Sequence, residues 1–155
     1  MKAMKKYLFI FTVLFLIISG CSSTQEELSV SESSQSQVSP VVEADKLAVL
    51  WTSGDPEVAH RVCFMYTQTA KRSGWFDQVQ LIVWGPSSKL LSEDKSLQDK
   101  VKAMIADGID VKACKACADS YGVADKLTEL GVDVQYMGIP LTRILKSKDW
   151  KLLTF

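Results

Sequence analysis

The stretch KACKACADSYG, residues 112–122, sets Cys114 and Cys117 three positions apart in a chain of 155 residues whose other cysteines are Cys21 and Cys63. Thiols at that spacing support three chemistries. They can close and open a disulfide, supply half of a tetrahedral metal site, or carry a sulfane sulfur on one thiol beside a second. The choice depends on what stands around the pair and on which side of a membrane it works.

A metal site would have to recruit His60 and Cys63, an HxxC inside a helical stretch. Cys63 falls two turns into that helix, away from the loops, and His60 points away from the face expected to bury Val58 and Val62. No metal and no cofactor are expected. Cys63 reads as a core thiol and His60 as a solvated residue, which also removes His60 as a base for a cysteine nucleophile.

The elements that must position the pair follow from apolar periodicity. KLAVLW (46–51) reads as a strand, followed by TSGD and a helix from Pro56, with Asp55 as N-cap and proline in the first turn. The apolar face of that helix is expected on Val58, Val62, Met65, Tyr66 and Thr69. QVQLIVW (78–84) is a second strand that ends in GPS. A helix from Asp94 carries Leu97, Val101, Met104 and Ile105 on one stripe and stops at Gly108. IDVKA (109–113) is a third strand that runs directly into Cys114. Residues 117–130 read as one helix closed by Gly131, VDVQYM as a fourth strand, PLTRILKS as a short helix and WKLLTF as a last strand. Strands alternating with helices predict an α/β fold, three-layer α/β/α, with a mainly parallel sheet of about five strands.

In an open parallel sheet, ligands bind at the carboxyl ends of the strands. Thr52, Ser53, Gly54 and Asp55 are expected there after the first strand, and Trp84, Gly85, Pro86, Ser87 and Ser88 after the second. Cys114 and Cys117 follow the third, and Gly138, Ile139 and Pro140 the fourth. The candidate ligand-binding set is therefore Thr52, Ser53, Gly54, Asp55, Gly85, Ser87, Gly138 and Pro140, with Cys114 and Cys117 as the reactive groups. A thiol between a strand end and a helix start meets the positive end of the helix dipole, which favours thiolate, so Cys114 is expected to be a nucleophile. Trp51 and Trp84, at the ends of the first two strands, either stack on a ligand or cap the core. Lys71, Arg72, Trp75 and Asp107 fall on the opposite edge, where Trp75 and Phe76 are either core plugs or a subunit contact.

Compartment is read from the other end of the chain. MKAMKKYLFIFTVLFLIISGC has three lysines, about a dozen apolar residues and small residues before Cys21, the pattern of an export signal over residues 1–20. LIISGC resembles a bacterial lipobox, which implies that Cys21 is acylated and holds the protein to membrane lipid in the cell envelope, facing periplasm or cell exterior. Residues 21–45 follow as a serine-rich segment without aromatic or basic residues, a disordered tether that would hold the domain ~25–30 Å from the lipid. Without the leader, fifteen Lys+Arg stand against eighteen Asp+Glu. That balance and location disfavour nucleic acid as a partner. Residues 46–155 remain as one α/β domain.

LWTSGD, FMYT, IVWGPS, CKACADSYGV and the ending LTF resemble the DsrE/DsrF-like proteins, small α/β subunits of sulfur-relay and sulfur-oxidation systems, over the whole of 46–155. In relay members a persulfide-bearing cysteine at the end of the third strand is followed eight positions later by Gly-Val. Here Cys114 is followed at that distance by Gly122 and Val123. The resemblance implies a sulfur-carrying thiol at Cys114, a sulfur donor or acceptor protein as partner, and a homo-oligomer. Cys117 is not part of the relay pattern, and an exported location separates the chain from cytoplasmic relays.

Two functions are consistent with these residues. One is a membrane-tethered thiol protein that binds or transfers sulfur at Cys114, with Cys117 resolving or sharing it. The other is a non-catalytic module that binds a small ligand or partner, in which Cys114 and Cys117 form a structural disulfide.

Overall fold

The structure, a computed structural model, describes residues 45–155. The leader, Cys21 and the tether before Asp45 lie outside the described residues. Five strands, β1 (Lys46–Trp51), β2 (Gln78–Val83), β3 (Asp110–Cys114), β4 (Asp133–Gln135) and β5 (Trp150–Thr154), form one sheet in the order β4-β3-β2-β1-β5. Every pairing is parallel, so the expected α/β architecture holds and the sheet is wholly parallel.

Alternation along the strands divides the core in two. Leu47, Val49 and Trp51 of β1, Val79, Leu81 and Val83 of β2, and Val111 and Ala113 of β3 face a large cluster. That cluster is completed by α1 (Pro56–Val58), a π-helical turn (Ala59–Cys63), α2 (Phe64–Arg72), α3 (Pro86–Glu93), α4 (Lys95–Ala106), α5 (Lys115–Ser120) and α6 (Ala124–Glu129). Ala48, Ile82 and Cys114 point the other way, where α7 (Gly138–Lys146) covers them with Met137, Leu141 and Ile144. The three layers are thus unequal: many helices on one face and one on the other. Where α7 does not reach, side chains of β2, β3 and β4 join in a polar ladder: Gln80 donates to Asp110 at 3.0 Å, and Lys112 to Asp133 at 2.7 Å. Burial alone would lower the Lys112 pKa, but its hydrogen bonds to Asp133 and Asp110 prevail and raise it.

Local chemistry sets most element ends as expected. Asp55 caps α1, its carboxylate accepting from the Glu57 N–H at 2.8 Å with Pro56 in the first turn, and Asp94 caps α4 through Leu97 N–H at 3.0 Å.

Three expectations are corrected. The apolar stripe on Val58, Val62, Met65, Tyr66 and Thr69 is not the buried face: Val62 is 42% and Met65 61% exposed, while Ala59, Cys63, Phe64, Thr67 and Ala70 are buried. The buried face keeps helical spacing but lies one residue further round, and the π-helical turn Ala59–Cys63 falls within it. The helix expected over 117–130 is two helices, broken where Gly122 adopts φ 66° and Val123 leaves helical geometry. An additional helix, α3, occupies 86–93, where serines conceal an amphipathic pattern.

Trp51 is fully buried edge-on against Phe64, with ring centroids 4.9 Å apart, so it is a core residue. Trp75 is 56% exposed beside Tyr66, whereas Phe76 packs partly into the large cluster.

Candidate functional site: the Cys114–Cys117 pair

β3 delivers Cys114 to the carboxyl edge as its last residue, and the same residue is the N-cap of α5, with φ −69° and ψ 110°. Cys117 falls in the first turn of α5. The two side chains share the smaller apolar cluster with Trp84, Met137 and Leu141. Both are free thiols, as is Cys63, which lies in the other cluster. Their exposures differ. Cys114 is only 4% exposed, and Cys117 is half-buried. Cys114, the expected nucleophile, is therefore an inner thiol, covered because α7 and the residue preceding it, Met137, fold across the end of β3. Cys117 is the outer thiol.

Charge is not free at the outer position. Loss of water raises the Cys117 pKa first, and a hydrogen bond shared with the Cys114 thiol raises it further. The Gly85 backbone N–H acts in the opposite sense. The helix start therefore does not make Cys117 a strongly acidic thiol, and the Gly85 amide is the identifiable group that favours its thiolate. Gly85 presents this amide from a backbone with φ 68° and ψ −133°, a conformation essentially reserved for glycine. Beside the pair, Lys115 is held by Asp119 at 2.8 Å, an interaction that raises the lysine pKa, and lies 5.9 Å from the Tyr136 ring. Cys63 is a contrasting case: fully buried, its thiol is pushed up to about 12 by loss of water and stays protonated.

The other expected site residues divide. The reversal of strand order lies between β1 and β5, where an open sheet offers a crevice. That crevice holds the backbone of Phe155. Its carbonyl accepts from Thr52 N–H at 2.7 Å, Ser53 N–H at 3.3 Å and the Thr52 hydroxyl at 2.8 Å. The Ser53 hydroxyl accepts from Asp55 N–H at 3.1 Å, and the Asp55 carboxylate serves the α1 cap. Ser87 is fully buried: its hydroxyl donates to the Trp51 carbonyl at 2.6 Å and accepts from Trp84 N–H at 3.0 Å. It ties β1 to the end of β2 and offers a ligand no surface. Gly54 and Pro86 meet over a hollow of about 230 Å³ that Tyr121 also lines. Gly138 and Pro140 begin α7, and Gly138 lines a separate outer groove. The structure thus gathers Cys114, Cys117 and Gly85, and leaves the remaining candidates in structural bonds or other surfaces.

The largest groove, about 710 Å³, runs along the outside of α2 past Glu57, His60, Arg61 and Met65, and none of the thiols lines it. The thiol chemistry, not the size of the opening, identifies the site. Among the described residues no three metal-ligating side chains converge. Met137, which helps bury Cys114, was not singled out from the sequence. Its only signal was a position at the end of the fourth strand, and the contact that matters spans more than twenty residues of chain.

The DsrE/DsrF-like family model matches residues 45–155. A solved structure of a conserved protein of unknown function from Bacteroides thetaiotaomicron is 39% identical, with a TM-score of 0.69, covering 72% of this chain and 95% of that one. The domain therefore matches almost the whole of that relative's solved chain. The ychN protein from E. coli, 19% identical with a TM-score of 0.52, covers 72% of this chain and 99% of its own, and shares the fold. No match is found among curated proteins. The five-stranded parallel sheet, the cysteine at the end of its third strand and a match across the whole domain have one consequence: the chain belongs to the DsrE/DsrF-like family.

Proposed function

We propose that this protein is a lipid-anchored sulfur-relay thiol protein of the cell envelope, which accepts sulfane sulfur at the Cys114–Cys117 pair and works as a homo-oligomer. The observation that carries this reading is a half-buried thiol and a nearly covered one sharing a single apolar cluster at the end of β3.

The arrangement suits a two-step transfer. The Cys117 thiolate attacks the terminal sulfur of a persulfide donor, forming a new S–S bond on Cys117 and releasing the donor as its thiolate. Cys114 then attacks that terminal sulfur, so the persulfide passes inward and Cys117 leaves as thiolate. No net oxidation occurs. Covering by Met137 and α7 keeps the inner persulfide from adventitious reductants. A donor and an acceptor protein are required on either side of the cycle. The acylated Cys21 keeps these exchanges at the membrane.

The test is incubation of reduced protein with polysulfide followed by intact mass, where each added sulfur contributes about 32 Da. Wild type gains sulfur on Cys114, Cys117→Ser loads slowly, and Cys114→Ser fails to retain it. Equal loading of Cys114→Ser and wild type refutes the assignment. A Cys114–Cys117 disulfide that resists mild reductants would instead place the chain among non-catalytic binding modules.

A further inference from the structure

We infer that α7 is a membrane-docking surface, whose outward side, Ile139 with Arg143 and Lys146, flanked by Leu145 and by Lys148 just beyond the helix, rests on anionic phospholipid. Among the described residues α7 is the single helix on its face of the sheet, and it is the outermost element of those residues there. Ile139 is 68% and Leu145 63% exposed, on a helix of nine residues, and Tyr136 just before it is 67% exposed. An apolar groove of about 420 Å³ runs along this side between Gly138 and Ser147, with Arg143 and Lys146 on its walls.

Charge selects the occupant. From Gly138 to Asp149 the chain carries Arg143, Lys146 and Lys148 against Asp149 alone, although acids outnumber bases from Cys21 onward. None of these three cations takes part in an ion pair among the described residues, as is also true of Lys46, Lys71, Lys100, Lys102, Lys126 and Lys151, but only here do three such cations stand within six residues beside exposed aliphatic side chains. Unpaired cations flanking exposed aliphatic side chains fit lipid headgroups over acyl chains. They do not fit a second copy of α7, which would bring like charges together.

Position gives the contact a consequence. α7 starts at the edge that holds the thiols. Its far end lies where the domain begins, since the Lys46 N–H donates to the Asp149 carbonyl at 3.1 Å. Docking along α7 would therefore bring the thiol edge and the root of the tether to the bilayer together, rather than leaving the domain at the end of a free linker. The inference does not depend on acylation of Cys21, which would only raise the local lipid concentration.

The experiment uses residues 45–155, the domain that matches 95% of the solved chain of the Bacteroides relative. Its partitioning is measured by co-sedimentation with vesicles of phosphatidylcholine and phosphatidylglycerol in equal parts, and with phosphatidylcholine alone. The domain is expected to bind the anionic vesicles, less so as salt rises, and not the neutral ones. Arg143→Glu with Lys146→Glu should weaken binding at least about 25-fold, at about fivefold per lost cation. Ile139→Asp should weaken it about tenfold. These side chains are exposed, and an unchanged Tm confirms that each variant folds. Equal binding to both vesicle types, or undiminished binding by the charge-reversed variant, overturns the inference. So does a dimer that Ile139→Asp dissociates while vesicle binding is absent, since the surface would then belong to another copy. An unmodified Cys21 in the native envelope would refute the lipid anchor and leave this measurement untouched.

Discussion

Replacing Gly85 by alanine isolates the one backbone feature on which the outer thiol relies. Gly85 holds φ 68° and ψ −133°, and a Cβ built there meets nothing within 4 Å. The cost of alanine is therefore conformational and not steric, about 1–3 kcal/mol for a residue forced into that region. For a domain of this size that corresponds to a fall of about 4–12 °C in Tm. If the chain relaxes, the Gly85 amide turns away from Cys117 and the thiolate loses the group that opposes its desolvation. Alkylation of Cys117 by iodoacetamide near neutral pH should then slow measurably, because a smaller fraction of the thiol is ionised. Gly54→Ala is the control: its Cβ would lie 3.3 Å from the Pro86 Cβ without a positive φ, so crowding is tested there without the conformational cost. Denaturant unfolding and alkylation kinetics are read on both variants. The reasoning fails if Gly85→Ala stays within about 0.5 kcal/mol of wild type with unchanged alkylation, or if Gly54→Ala loses as much.

Ser87→Ala should destabilise the domain by about 1 kcal/mol, because a buried hydroxyl linking the Trp51 carbonyl and the Trp84 amide is lost, while polysulfide loading is unchanged. Reduced loading in a folded Ser87→Ala protein would return this residue to the site. Cys63, pushed up to about 12 from 9.0, contributes stability that is complete below about pH 9 and disappears as pH rises through about 12. Three units correspond to at most about 4 kcal/mol. Unfolding free energies from pH 8 upward should fall more steeply for wild type than for Cys63→Ala, and parallel curves would contradict the buried-thiol account.

What the sequence disclosed was whatever local chemistry determines. Asp55 followed by Pro56, and Asp94 before an apolar stripe, specify helix starts without reference to the rest of the chain. The alternating runs 46–51 and 78–83 read as strands because both faces of a central parallel strand are apolar. The failures share one cause, packing at a distance. Val62 and Met65 fit helical periodicity, yet the face that packs is the neighbouring one through Ala59, Cys63, Thr67 and Ala70. Ser87 and Ser88 read as loop, yet both are buried, and the Ser87 hydroxyl bonds to a backbone carbonyl. Cys114 was placed correctly at the end of β3, but its covering comes from Met137 and Ile144, residues whose relation to it exists only after β4 has paired and the chain has crossed back to β5.

That crossing also determines how the inner thiol can be reached. Connections from β1 to β4 step outward through the sheet and stack their helices on one face, so only the return from β4 to β5 can cover the other. The result is a site roofed by nine residues, anchored through Met137, Leu141 and Ile144, and free of the thick packing that encloses Cys63. Opening such a roof breaks few apolar contacts and leaves the large cluster intact, so it belongs to the low-energy end of local unfolding. Cys114 can therefore be shielded at rest and reached by a partner without disrupting the domain. A membrane contact along α7 would act on that same roof, which couples where the protein sits to how readily its inner sulfur is exchanged.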